Sequence, residues 1–310
     1  MNETDTAPEL HPAGLPNHLW QGDIKRIDHS VIRVPDLEAG ISWYRRLLGL
    51  VESERRSGRV YLASPFSGET VLGLTEGGTG LAYVSYRVRG AEALERIAAR
   101  LQSADIAFER GHDDTRSGAV AALRLELPTG HVLELLQAEE TEKRKPAPGY
   151  VAGAMDVRTS HLQLRTLDVL GTSEFMKKIG FKVSTYVPLP DGKHLLQFMR
   201  VNEFHHQLAI LTGTAGLHHV ALELDVVDFW KFCDHLSIER IPAEYGPGRH
   251  LEGDLLFIYV RDPFGNRLEI TGPMALAGFD YPPQPGHDEP WYHMNRWGPQ
   301  PPESWYHEWT

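Results

Sequence analysis

The stretch Arg158-Thr-Ser-His-Leu-Gln-Leu-Arg-Thr-Leu-Asp168, set beside Ile27-Asp-His-Ser-Val-Ile-Arg-Val-Pro-Asp36, decides the fold. Each is an alternating run with a histidine in its first half, reading as a β-strand that ends on an acidic helix start. The segments after these two strands match as well. Leu37-Glu-Ala-Gly-Ile-Ser-Trp-Tyr-Arg-Arg-Leu-Leu48 has helical spacing, with Asp36 as N-cap and Gly49 as stop, and Thr172-Ser-Glu-Phe-Met-Lys-Lys-Ile179 ends likewise at Gly180. Strands are expected around 51–55, 60–63 and 70–74 in one copy and 182–187, 194–200 and 207–211 in the other. The stretches from Ile24 to Gln137 and from Asp156 to Gly272 therefore read as copies, each beginning with a βαβββ unit.

Each half repeats the unit once more. Leu81–Val88 leads to a helix near 91–101, and Leu217–Leu224 leads to one near 226–236. The closing strands, Leu127-Pro-Thr-Gly-His-Val-Leu-Glu-Leu135 and Asp262-Pro-Phe-Gly-Asn-Arg-Leu-Glu-Ile270, each carry a Pro-x-Gly turn. The expectation is an α+β fold: four βαβββ modules paired into two domains, each a mixed open β-barrel with outer helices. Residues 1–23 form an N-terminal tail, 24–140 the first domain, 141–155 a linker, 156–272 the second domain and 273–310 a C-terminal tail. That last tail holds Trp291, Trp297, Trp305 and Trp309, more aromatics than a disordered segment carries. It is expected to pack along the barrel, over a site mouth or at a subunit contact.

The 310 residues suit two domains of about 150 residues. With 29 glycines and 21 prolines the chain favours many turns over long helices. The net charge of −11 argues against nucleic-acid and anionic-membrane partners, which are held by clustered Lys and Arg, and favours a small substrate. One cysteine, Cys233, cannot form an internal disulfide and reads as a structural thiol on a helix. Neither a basic, then apolar leader nor an apolar run of about 18–20 residues is present, so a cytoplasmic setting is expected.

Three residues of the second half then stand out. His161, His219 in Leu217-His-His-Val-Ala-Leu222 and Glu269 each sit in a strand, so three strands could aim two imidazoles and a carboxylate at one point. Two histidines and one carboxylate with open positions make the facial triad of oxygen-activating non-haem iron enzymes. Aligning the copies sets His29 against His161, Tyr83 against His219 and Glu134 against Glu269. A neutral tyrosine is a poor ligand for a divalent cation near pH 7. One metal is therefore expected, in the C-terminal half. His218 alternates away from His219 on the strand and is expected to face packing or solvent.

Residues 24 to 272 resemble the vicinal oxygen chelate superfamily, and within it the two-domain type I extradiol ring-cleaving dioxygenases such as catechol 2,3-dioxygenases. The resemblance implies His161, His219 and Glu269 as ligands of Fe(II), with Mn(II) accepted by the same donors, and a metal-free N-terminal domain. His206, in Asn202-Glu-Phe-His-His-Gln-Leu-Ala-Ile210, matches the family's acid–base histidine. His250, in Gly246-Pro-Gly-Arg-His250, and Tyr259, in Leu255-Leu-Phe-Ile-Tyr259, match its substrate-contacting pair. The implied reaction is insertion of both atoms of O2 into a catechol with ring cleavage beside the diol, as in the catabolism of aromatic hydrocarbons. Family members are commonly homo-oligomers, a tetramer being favoured. The homoprotocatechuate branch carries an Arg, to pair with a substrate carboxylate, where Tyr245 stands here; this favours a neutral or alkyl-, aryl- or hydroxyl-substituted catechol. The alternatives are another metalloenzyme of the superfamily, a glyoxalase-like isomerase or thiol transferase, or a small-molecule-binding resistance protein.

Overall fold

The computed structural model describes residues 22–111, 115–139, 155–278, 281–286 and 295–310. Trp291, nearly all of the N-terminal tail and all of the 141–155 linker but Met155 lie outside the described residues. Four βαβββ modules succeed one another along the chain. The first is β1 (Ile24–Val34), α1 (Leu37–Leu48), β2 (Val51–Arg56), β3 (Arg59–Ala63) and β4 (Thr70–Glu76); the second is β5 (Leu81–Val88), α2 (Ala91–Ser103), β6 (Glu109–Arg110), β7 (Ala119–Glu126) and β8 (Val132–Ala138). The third runs β9 (Arg158–Thr166), α3 (Val169–Ile179), β10 (Lys182–Pro188), β11 (His194–Arg200) and β12 (Leu208–Thr212). The fourth is β13 (Gly216–Glu223), α4 (Val226–Ile238), β14 (Tyr245–Arg249), β15 (Leu256–Arg261) and β16 (Arg267–Thr271); a short β17 (Gln284–Pro285) and α5 (Glu303–His307) complete the chain.

The modules pair edge to edge into two mixed sheets of the same design. One has the order β2-β3-β4-β1-β5-β8-β7-β6, and the other, read from β10, β10-β11-β12-β9-β13-β16-β15-β14, with β17 added beside β10. In each half the first strands of two modules run antiparallel at the centre, β1 on β5 and β9 on β13. Each is flanked on its other side by a parallel strand, β4 and β8 or β12 and β16. The central strands are buried along nearly their whole length, as in β9 and β13. Such strands have both faces covered: helices cover one, and the curved sheet closes the other around a cluster of polar side chains.

Local chemistry sets the helix limits. Asp36 accepts from the Ala39 amide at 2.9 Å, and Gly49 ends α1 in the left-handed region. Asp168 likewise accepts from Gly171 at 2.8 Å, which starts α3 at Val169, three residues ahead of the Thr172 expected from its apolar spacing. The two halves share one apolar core, running from Ile24 and Leu47 to Phe229 and Ile270. Polar contacts seal the junction: Tyr44 donates to Asp262 at 3.1 Å, Asn266 accepts from the Gly80 amide at 2.7 Å, and Tyr86 donates to the Gln207 carbonyl at 3.2 Å.

Candidate metal centre and its surroundings

His161, His219 and Glu269 lie on β9, β13 and β16, three neighbouring strands. The register pairs Val220 with Leu162 and Ala221 with Glu269, so the three side chains leave the same face within two residues of one another. They are 3, 1 and 0 % exposed. Their ligand atoms all lie within 4.8 Å of one another. His161 Nε2 and His219 Nε2 stand 2.8 and 3.1 Å from the Glu269 Oε2 and 3.2 Å from each other.

This donor set fits a divalent cation. Both Glu269 oxygens are buried without a well-directed hydrogen bond, although imidazole nitrogens surround them. Lone pairs therefore converge where aligned donors would otherwise be required. Burial pushes Glu269 up, but the facing His161 and His219 rings outweigh it and hold the carboxyl well below its usual range. Burial lowers His219 to about 4, leaving that ring neutral and able to ligate. The far nitrogens are tied back: His161 Nδ1 to Ser160 Oγ at 3.1 Å, and His219 Nδ1 to His218 Nδ1 at 2.8 Å. Such contacts orient ligand rings.

His206 comes in beside the trio, its ring centroid 4.4 Å from that of His161. It sits in the irregular link between β11 and β12, with Nδ1 2.9 Å from His205 Nδ1. Burial drives it well below the ordinary histidine range. Gly253, at φ +76°, makes room: a Cβ there would fall 3.2 Å from His206 Cε1. From the other side His250 Nε2 reaches to 3.5 Å from Glu269 Oε1 and 3.2 Å from the Tyr259 hydroxyl. Tyr259 is the direct cross-strand partner of Glu269, and burial with the neighbouring carboxylate pushes its hydroxyl well above the usual range, so it stays a donor. Phe257 stacks on His250 at 3.8 Å between centroids. Tyr245 lies parallel to Tyr259, its hydroxyl donating to Asn295 at 2.8 Å.

All six residues singled out in the sequence are thus gathered at one place. His218 is placed by a β-bulge: β13 pairs Leu217 with Leu164 and His219 with Gln163, leaving His218 as the extra residue. Its buried ring therefore touches His219 from behind, a contact that simple alternation does not provide. Ser160, His205 and His218, the partners of the site histidines, each precede one of them in the chain. That adjacency was the available signal; strand alternation sets Ser160 and His218 against contact with the residue that follows each, while His205 lies with His206 in the irregular link.

In the N-terminal half the equivalent positions are engaged differently. The Glu134 oxygens are taken by Arg124 at 2.7 Å and Ser85 at 2.8 Å. Tyr83 meets His29 Nε2 at 3.2 Å and the Tyr61 hydroxyl at 3.0 Å, while His29 Nδ1 faces Asp28, itself bridged by Arg116 and Arg87.

Residues 26–135 and again 158–270 match the Glyoxalase/Bleomycin resistance protein/Dioxygenase superfamily, and the chain belongs to it. Among curated relatives, it is 27 % identical over 283 residues to a manganese-dependent 2,3-dihydroxybiphenyl 1,2-dioxygenase of Geobacillus genomosp. 3, covering 84 % of this chain and 89 % of the relative. A metapyrocatechase of Pseudomonas sp. (strain CF600) is 28 % identical over 273 residues, covering 83 % and 87 %. Among solved structures, homoprotocatechuate 2,3-dioxygenase from Brevibacterium fuscum, in complex with 3,4-dihydroxyphenylacetate, superposes with a TM-score of 0.80 at 27 % identity, covering 94 % of both chains.

Proposed function

We propose that this extradiol dioxygenase, which cleaves the ring of a catechol beside the diol with O2 as co-substrate, works at the centre formed by His161, His219 and Glu269. The observation that carries the reading is the buried Glu269 carboxylate, with two imidazole Nε2 atoms within 3.1 Å and no well-directed hydrogen bond to either oxygen. Fe(II) is the proposed ion, with Mn(II) accepted by the same donors. Held by these three residues, the ion would supply Lewis-acid and dioxygen-activating chemistry.

The protein's own groups do the rest. Tyr259, kept protonated by burial, donates a hydrogen bond to a diol oxygen and fixes the ring's orientation. His206, kept neutral by burial, takes a proton from the substrate and returns it as negative charge develops on oxygen. His250, between Tyr259 and Glu269, holds the distal side of the substrate in line with cleavage next to the diol. Phe257 and Tyr245 keep that side apolar. A neutral catechol suits this environment, because Tyr245 carries no charge and the neighbouring Arg249 guanidinium is paired with Asp254 at 2.8 Å.

We place the enzyme in the cytoplasm, in keeping with its single free cysteine, and as a homo-oligomer, favouring a tetramer. The exposed Val226, Val227, Trp230 and Ile238 of α4 support association. No helix among the described residues is long and apolar enough to cross a membrane.

The test is anaerobic Fe(II) reconstitution followed by exposure to catechol, 3-methylcatechol, 2,3-dihydroxybiphenyl and 3,4-dihydroxyphenylacetate in air. A yellow ring-opened product is expected, fastest from the uncharged substrates. His161→Ala and Glu269→Ala are expected to lose both bound metal and colour development while keeping the wild-type circular dichroism spectrum. Full activity in either variant overturns the assignment.

A further inference from the structure

His219 can ligate through Nε2 only if its proton sits on Nδ1, and its strand neighbour His218 can hold that proton there only if its own tautomer is fixed. The partner of Nδ1 is His218 Nδ1 at 2.8 Å, and the other nitrogen of His218 lies 2.7 Å from the main-chain carbonyl of Trp305 in α5. We propose that the C-terminal segment Glu303–Thr310 selects the ligating tautomer of His219, through the Trp305 carbonyl and His218 as a positioning residue. This inference rests on the assignment of His161, His219 and Glu269 as metal ligands.

The chain of donors has one consistent direction. A carbonyl only accepts, so His218 Nε2 carries the hydrogen. His218 is 1 % exposed, and the Arg267 guanidinium donates to its carbonyl at 3.2 Å, so a second proton would bury an unpaired cation beside another. The ring is therefore neutral and its Nδ1 bare. That bare nitrogen accepts from His219 Nδ1–H, and the His219 Nε2 lone pair is left facing Glu269 and His161. Without the carbonyl, His218 is free to carry its hydrogen on Nδ1 and donate to His219, which moves the second proton onto Nε2 and blocks the ligand position.

The segment is held with the firmness this role requires. Thr310 pairs with Leu217, next to His218, through Leu217 N–H to Thr310 O at 2.5 Å and Thr310 N–H to Leu217 O at 2.9 Å. Arg267 donates to the carbonyls of Ser304 and Glu308 at 2.9 and 3.0 Å. Arg165 donates to the Tyr306 carbonyl at 2.5 Å and lies 4.3 Å over the Trp309 ring. Gly216 leaves space for that indole, which any Cβ there would strike. Trp305 itself is buried against Tyr245 and Tyr259. Its carbonyl is therefore fixed from three sides.

The experiment is a Mn(II) titration of the metal-free full-length protein, with free ion read by electron paramagnetic resonance and folding checked by circular dichroism. His218→Leu is expected to weaken Mn(II) binding by about 10–100-fold, the usual effect of losing a ligand's supporting partner. His218→Asn, whose Oδ1 can accept from His219 without help from α5, is expected to restore most of it. The pair Arg165→Ala and Trp309→Ala, which loosens the segment without touching the site, is expected to weaken binding in the wild-type background and to add nothing to His218→Asn. A folded His218→Leu protein with wild-type affinity overturns the inference. So does a loosened segment that weakens binding equally in both backgrounds, the mark of a merely structural role. A wild-type protein that binds neither Mn(II) nor Fe(II) instead overturns the metal assignment itself, and this inference with it.

Discussion

Tyr259 shows how a single residue acquires its role from its neighbours. Alone in Leu-Phe-Ile-Tyr it reads as one more core aromatic of a strand; paired across the sheet with Glu269 and held 3.2 Å from His250, it becomes a buried hydroxyl aimed at the metal centre. Tyr259→Phe is expected to keep the bound metal, since no ligand changes, and to lower kcat by about 100-fold through loss of one aligned donor. Steady-state kinetics with metal analysis on the same sample check this, and a variant with unchanged kcat removes Tyr259 from the mechanism. His206, His250 and the trio were all legible as residue types in motif context. Their supporting contacts were not, because strand alternation assigns Ser160 and His218 to the face opposite the residues they support, and the irregular link that sets His205 beside His206 follows no period. A bulge at His218 breaks that rule.

Elements were legible where chemistry is local. The α1 helix was readable from Asp36 through Gly49 because its cap, its apolar stripe and its left-handed stop all lie within one stretch. Asp36→Ala removes the bond to the Ala39 amide and is expected to cost about 1 kcal/mol, seen as a lower denaturant midpoint with unchanged activity. An unchanged midpoint denies the cap its role. Elements defined by distant partners were harder. β14, Tyr-Gly-Pro-Gly-Arg, has the composition of a turn, yet it pairs with β15 and, at Arg249, with Trp297. The bridge to Trp297 comes from far along the chain, which no local propensity contains.

Over the whole molecule, the Gly-Asn-Arg-x-Glu run does two jobs. Glu269 enters the candidate metal centre, while Asn266 joins the halves by accepting from Gly80 and donating to the Arg33 carbonyl at 3.0 Å. Buried histidines also set how the whole molecule responds to pH. His131, His205 and His219 are lowered to about 4 by burial, and His206 and His218 lie well below the usual value for the same reason. These rings are neutral when folded and protonated near pH 6.5 when unfolded, so the unfolded state binds more protons and stability falls as pH drops through that window. Glu203, raised to about 8 by burial, and Glu223, raised to about 7, act in the opposite sense, but the histidines outnumber them. The metal-free protein is expected to show a lower urea midpoint at pH 4.5 than at pH 7, and equal or higher stability at pH 4.5 contradicts the neutral buried rings.

Duplication, strand and helix order and the donor set of the C-terminal half are properties of residue type and spacing, which covalent order carries, so they could be read before any folding was considered. The Tyr83 that stands in the first half where His219 stands in the second was equally legible. The aim and surroundings of those donors are different in kind. They depend on a bulge at His218, on Gly253 leaving space for His206, and on a carbonyl of Trp305 brought from 87 residues along the chain. Hydrogen-bond direction is a matter of distance and angle between groups that only packing brings together. The tertiary structure alone therefore set His218 and the Trp305 carbonyl behind His219 and turned its Nε2 toward Glu269 and His161.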